Sequence, residues 1–296
     1  MDGENMSAIT PATVFAFIET AEQFATAATR WALRLVPPAP ACIPPPRAYT
    51  ADTEWGQENA MQTDASLSPA DIKAKADLVQ VEPHRWALSW WARLYRRTLR
   101  RWDVNKHVKA FCRPITIEGR ENLALVNGPL LVIANHSSHF DTVIVLHVLP
   151  RKVWGKLAIV AAADRMYRER IKGMLHSLRY NAFPITRGGG REALAYSQWL
   201  TSTGWSLLIF PEGKRSRDGQ LLPFRGGPAI LALGQNIPVL PIYINGASDI
   251  LPPGSPISKP APVLVRIGKP FDFPPGTTIP EAKTAMEEAI RALTIR

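Results

Sequence analysis

An α/β domain with a single mixed sheet flanked by helices is the fold class that residues 113–296 predict. Short apolar runs of strand length alternate there with stretches of helical spacing. Glycine and proline mark the joints, as at Gly226-Gly227-Pro228 and Pro280. Upstream the chain changes character, so the domain is expected to follow an N-terminal helical segment, a linker and a basic amphipathic helix.

In residues 1–36, Val14, Phe17, Phe24, Trp31 and Leu35 approximate one helical stripe, which Pro37-Pro38 would stop. Residues 37–80 read as a linker, because Pro, Ala, Thr, Gln and Asp dominate as far as position 71 and leave little to bury. Within residues 81–112, the stretch 85–102 places Ala87, Trp91, Leu94, Tyr95, Thr98 and Trp102 on one helical face. Arg93, Arg96, Arg97, Arg100 and Arg101 take the other. Such a helix can lie in a membrane interface, with aromatic rings at the headgroup boundary and arginines toward anionic lipid. It can equally dock its aromatic face on a core, as amphipathic surface helices do. From position 113 the expected strands are 115–118, 130–134, 157–161, 181–185, 206–210, 238–244 and 262–267. The expected helices are 141–148, 165–178, 189–202, 226–234 and 280–293.

A chain of 296 residues with 46% hydrophobic content can bury a large core. Its formal charge of +10 favours anionic partners such as phospholipid headgroups, phosphorylated substrates or coenzyme A. Nucleic acid is not expected, since neither a Cys/His finger spacing nor an RNA-recognition signature occurs. Cys42 and Cys112 stand in unrelated contexts, which predicts no disulfide framework, no metal site and a reducing cytosolic setting. Asp2 and Glu4 precede any apolar run, unlike a secretory signal. The apolar stretches at 130–144 and 153–163 are interrupted or short against the roughly 20 residues that a membrane span needs.

Two segments carry chemistry. His136 and Asp141 follow the apolar run 130–134 with four residues between them, so a strand end and a helix start can fold the two side chains together. A neutral imidazole can take a proton from a hydroxyl as that oxygen attacks a carbonyl, and a carboxylate on the other ring nitrogen fixes its tautomer. Alternatively, Asp141 caps the helix that follows and His136 is a polar loop residue. The second segment, Phe210-Pro211-Glu212-Gly213-Lys214-Arg215-Ser216, follows another apolar run and collects a carboxylate, a glycine, two cations and a hydroxyl. Forked guanidinium donors and close backbone approach at glycine suit an anion. Glu212 and Arg215 could also form only a structural ion pair, and Arg187, before Gly188-Gly189-Gly190, could sit in a solvated loop. Ser137 or Ser138 beside His136 could be nucleophiles of a hydrolase, but no Gly-x-Ser-x-Gly elbow is present.

In four ordered blocks the chain resembles the glycerolipid acyltransferases, typified by 1-acylglycerol-3-phosphate acyltransferase, within the lysophospholipid acyltransferase superfamily. His136 and Asp141 match its His-x-x-x-x-Asp block. Phe183-Pro184-Ile185-Thr186-Arg187 is similar to the second block, and residues 210–216 to its Phe-Pro-Glu-Gly-Thr-Arg-Ser. Ile237-Pro238-Val239-Leu240-Pro241-Ile242 is similar to the fourth. Lys214 stands where threonine is common. Ala163-Asp164-Arg165-Met166-Tyr167 stands where many members carry Lys-Glu-Leu, and Arg179-Tyr180-Asn181 lacks a glycine often found there.

The resemblance implies a membrane-associated O-acyltransferase, peripheral on the cytoplasmic face of an anionic membrane surface. It would move a fatty acyl group from an acyl thioester donor, acyl-CoA or acyl-carrier protein, to a lysophospholipid hydroxyl, with lysophosphatidic acid favoured. His136 and Asp141 would be catalytic; Arg187, Glu212, Gly213, Lys214 and Arg215 would contact the phosphorylated acceptor; no metal or resident cofactor would be needed. An acceptor lacking glycerol phosphate, or a non-catalytic membrane-binding protein, are the alternatives. His139 is expected to be supporting or exposed, and His84, His107, His147 and His176 have no motif.

Overall fold

The computed structural model describes residues 83–186, 194–251 and 258–294. The expected N-terminal helix, the linker and Arg187 lie outside them. A 3-10 turn, Arg85–Leu88, leads into α1 (Trp90–Tyr95), a π-helical turn (Arg96–Arg100) and α2 (Arg101–Phe111). Then come β1 (Cys112–Glu118), a 3-10 turn (Arg120–Leu125), β2 (Leu131–Ala134), α3 (Phe140–Val148), α4 (Arg151–Trp154) and β3 (Leu157–Ala162). The chain continues through α5 (Ala163–Met166), α6 (Arg170–Tyr180), β4 (Ala182–Ile185), α7 (Ala195–Ser202), β5 (Ser206–Ile209) and α8 (Gly227–Gln235). It closes with β6 (Val239–Asn245), α9 (Ala247–Ile250), β7 (Ala261–Ile267) and α10 (Ile279–Ala292).

All seven expected strands form one mixed sheet in the order β1-β7-β6-β2-β5-β3-β4. The strands β6, β2, β5, β3 and β4 run parallel, and β7 turns antiparallel against β6. Parallel strands covered on both faces need apolar residues on both, and β2 has them: Val132 and Ala134 face one core, Leu131 and Ile133 the other. Val104 and Val108 of α2 join Ile144 and Leu146 of α3 on the first side. Leu200 of α7, Leu231 of α8 and Met286 of α10 fill the second. The last helix begins with a capping box, in which Thr278 and Glu281 bond each other's backbone N–H.

Two local differences from the sequence expectation have physical causes. The helix expected over 165–178 is split, because Tyr167 leaves helical geometry and its hydroxyl donates to the Ala182 carbonyl at 2.5 Å and meets Ser177 Oγ at 2.9 Å. The segment 85–102 is helical but does not end at Trp102; it continues to Phe111 and feeds β1. Arg96, expected on the solvent face, is buried and donates to the carbonyls of Ser177, Leu178 and Ala87. Buried Ala92, Arg96, Val104 and Val108 stand at multiples of four residues. A 3.6-residue helix would rotate such a stripe away, and the wider π turn takes back part of that drift. Trp90, Leu94 and Trp102 are left exposed.

Candidate active site

The C-terminal ends of β2, β5 and β3 are neighbours in the parallel part of the sheet, where α/β folds gather ligand-binding loops. The turn after β2 carries His136, the loop after β5 carries residues 210–216, and α5 follows β3 directly. Nothing in the local sequence of any one segment brings these together; the strand order does.

The last rung between β2 and β5 pairs Ile133 with Ile209. Beyond it the chain must find other partners for its backbone. Asn135 supplies one set: its side-chain amide donates to the Ile244 carbonyl at 2.9 Å and accepts the Ile244 N–H at 2.7 Å, stitching the turn to β6. His136 N–H donates to Glu212 Oε1 at 2.7 Å, and the His136 carbonyl accepts the Ser216 N–H at 2.8 Å. The loop after β5 thus holds the His136 peptide on both sides.

Asp141 sits in the first turn of α3, fully buried. Its Oδ2 lies 2.8 Å from His136 Nδ1 and accepts the N–H groups of Ser137 and Ser138, each at 2.7 Å. It is therefore more than a helix cap. A carboxylate accepts only, so Nδ1 carries the proton and the lone pair is left on Nε2. The imidazole is stacked on the Phe210 ring, with centroids 4.2 Å apart and planes 20° apart. Ser138 Oγ accepts the Phe140 N–H at 3.3 Å, a turn contact at the start of α3.

Glu212 is buried, and its second oxygen, Oε2, accepts the Leu222 N–H at 3.1 Å. Burial pushes its carboxyl up to about 7; the two backbone donors oppose this, and the Asp141 carboxylate adds to it. Gly213 adopts φ +69°, and a Cβ there would collide with the Arg225 side chain. Its N–H donates to the Phe210 carbonyl at 3.0 Å, inside the loop. Lys214 is exposed and Arg215 half-buried. Arg215 feels partial burial and the charge of Arg165 on α5, both of which lower its pKa. His139 is exposed on the turn, yet partial desolvation of its ring, followed by Arg215, His136, Arg165 and His176, pushes it down to about 4. It is neutral near pH 7.

Of the site residues expected from sequence, the structure gathers His136, Asp141, Glu212, Gly213 and Arg215 and leaves Lys214 at the rim. Sequence reasoning missed the parts played by Asn135, Phe210, Ser216 and Arg165. Asn135 binds the backbone of a distant strand through its side-chain amide, Ser216 acts through its backbone N–H and Phe210 through ring contact, none of which motif spacing encodes. Arg165 was visible as a basic residue in a stretch that departs from the Lys-Glu-Leu pattern.

Residues 114–245 match the family model for acyltransferases. The chain is similar to a 1-acyl-sn-glycerol-3-phosphate acyltransferase of Cocos nucifera, 28% identical over 53% of this chain and 50% of the relative. It is also similar to a chloroplastic 1-acyl-sn-glycerol-3-phosphate acyltransferase of Arabidopsis thaliana, 32% identical over 48% of this chain and 38% of the relative. The match thus spans about half the length, or less, of these curated relatives. The crystal structure of a 1-acyl-sn-glycerophosphate acyltransferase from Thermotoga maritima shares the fold with a TM-score of 0.55 at 24% identity, over 69% of this chain and 82% of that one. Residues 114–245, somewhat less than half of the chain, are thus similar to the glycerolipid acyltransferases.

Proposed function

We propose that the protein is an O-acyltransferase that moves a fatty acyl group from an acyl thioester, acyl-CoA or acyl-carrier protein, to a hydroxyl of lysophosphatidic acid or a related lysophospholipid. The single observation that carries this reading is the 2.8 Å contact between His136 Nδ1 and the buried Asp141 carboxylate. With Nδ1 protonated, Nε2 takes the acceptor hydroxyl proton while the oxygen attacks the thioester carbonyl carbon. The tetrahedral adduct collapses with cleavage of the C–S bond, and the imidazolium returns its proton to the departing thiolate. Phe210, stacked on the imidazole, presents an aromatic face to the ring at the moment that it becomes cationic.

Arg215, Lys214 and Arg165, with Arg187 as a further candidate, would hold the acceptor phosphate. The charge that Arg165 exerts on Arg215 supports this, because guanidinium groups brought near one another favour an anion between them. Peripheral association with an anionic membrane is supported by exposed Trp90, Leu94 and Trp102 beside the exposed cations Arg93, Arg97 and Lys106. No helix among the described residues is long and apolar enough to cross a membrane.

Acyl transfer from long-chain acyl-CoA to lysophosphatidic acid in lipid vesicles tests the proposal. The native chain is expected to turn over and His136→Ala to be inactive. Near-native turnover by His136→Ala would eliminate the proposed base. Arg165→Ala and Arg215→Ala are expected to raise the acceptor KM roughly tenfold each with kcat little changed, as loss of ground-state binding does. Equal effects on a phosphate-free acceptor would assign those arginines a structural role.

A further inference from the structure

We infer that Phe210 and Glu212 are positioning residues for His136, and that the Glu212 carboxylate serves the base rather than the acceptor. The inference rests on the proposed role of His136 and assigns a different task to a residue of the third block. His136 lies two residues beyond the end of β2, where the sheet ladder has stopped and its peptide groups have no strand partner. One loop replaces that ladder. Glu212 Oε1 accepts the His136 N–H at 2.7 Å, Ser216 N–H donates to the His136 carbonyl at 2.8 Å, and the Phe210 ring lies parallel to the imidazole at 4.2 Å. Asp141 controls the ring from its Nδ1 edge only. A ring held at one edge can still swing about that hydrogen bond, and the stacked phenyl together with a fixed main chain removes this freedom.

Glu212 does not act on His136 alone. Its Oε2 accepts the Leu222 N–H at 3.1 Å, and Arg225 N–H closes the same excursion by donating to the Pro211 carbonyl at 2.9 Å. Both carboxylate oxygens are thus committed to backbone donors from two separate turns, and the residue is buried. An acceptor-binding carboxylate would instead present an oxygen to the open side of the site. An anionic acceptor would gain nothing from a buried carboxyl, whereas the three cations Lys214, Arg215 and Arg165 would attract it.

Steady-state kinetics of Glu212→Gln, Phe210→Leu and Phe210→Tyr, run beside His136→Ala and Arg215→Ala, separate the two roles. Glutamine can accept one N–H but turns a donor toward the other, so Glu212→Gln is expected to lower kcat on the order of 100-fold and to leave the acceptor KM within about twofold. Phe210→Leu is expected to lower kcat roughly tenfold, and Phe210→Tyr to keep most of it, since a flat ring is restored. Nuclear magnetic resonance of the His136 imidazole protons in the full chain supplies a readout independent of turnover and of how Glu212→Gln folds. In the native protein, ring current from Phe210 should move those signals upfield, and Phe210→Leu should return them.

An acceptor KM raised fivefold or more by Glu212→Gln, or a kcat that it leaves unchanged, would show the carboxylate to be a ligand of the acceptor or idle, and would overturn the assignment. Imidazole signals that stay in place in Phe210→Leu would overturn the stacking role whatever the kinetics. Native turnover by His136→Ala would instead bring down the base itself.

Discussion

Asp141 combines three tasks on one oxygen: it orients His136 through Nδ1 and accepts two backbone N–H groups that shape the turn. Replacing it by asparagine keeps its size and removes its charge, and the amide would then let Nδ1 lose its proton to Nε2. Asp141→Asn is expected to stay folded and to lose on the order of 10³- to 10⁴-fold in kcat, measured by initial acyl-transfer rates with circular dichroism as the folding control. Glu212 gives a different signature. Its carboxyl holds a proton in the folded state up to about 7, above its ordinary value of 4.5. Between those values the native chain binds more protons than the unfolded one, so this group's contribution is complete below pH ~4.5 and is lost as pH rises through ~7. Melting temperature followed from pH 5 to pH 8 should therefore fall less steeply in Glu212→Gln than in the native protein; parallel curves would assign the slope to other groups.

At the scale of elements, the seven strands were legible because each is a short apolar run bounded by turn residues, and that signal is local. The split between α5 and α6 was not, since it depends on the hydroxyl of Tyr167 reaching the Ala182 carbonyl at the start of β4. The same limit hid Asn135 and Phe210, whose partners Ile244 and His136 lie far away in sequence. His136 and Asp141 were legible because a strand end and a helix start bring them together within one turn. In the segment from Arg85 to Phe111, helical spacing puts the arginines on one charged face, yet Arg96 caps carbonyls of α6 from inside the protein. What remains outside is an apolar stripe, with Trp90 75%, Leu94 53% and Trp102 64% exposed. Joint replacement of Trp90 and Trp102 by serine should lower partitioning to lipid vesicles at least tenfold, because on the proposed membrane association each would bury a large ring at the headgroup boundary. Its melting temperature should stay near native, as neither ring is packed inside. A lowered melting temperature with unchanged partitioning would place the stripe in protein contacts instead.

For the molecule as a whole, a formal charge of +10 and the exposed aromatic stripe would make two separable contributions to the proposed membrane binding. The charge acts over the Debye length, about 10 Å at 0.1 M salt and about 3 Å at 1 M, and is worth about 1 kcal/mol for each basic residue near an anionic surface. Burial of the tryptophan and leucine side chains is indifferent to moderate salt and to headgroup charge. Sedimentation with anionic vesicles should therefore show affinity falling at least tenfold between about 0.05 M and 0.5 M sodium chloride. Neutral vesicles should bind weakly at every salt concentration, through the stripe alone. Since the acceptor phosphate would be met at short range by half-buried Arg215, with exposed Lys214 and Arg165 beside it, rather than by the overall surface charge, kcat/KM for a water-soluble short-chain acceptor should fall far less over the same range. A parallel fall in both would mean that surface charge, not the local arginines, draws the acceptor in.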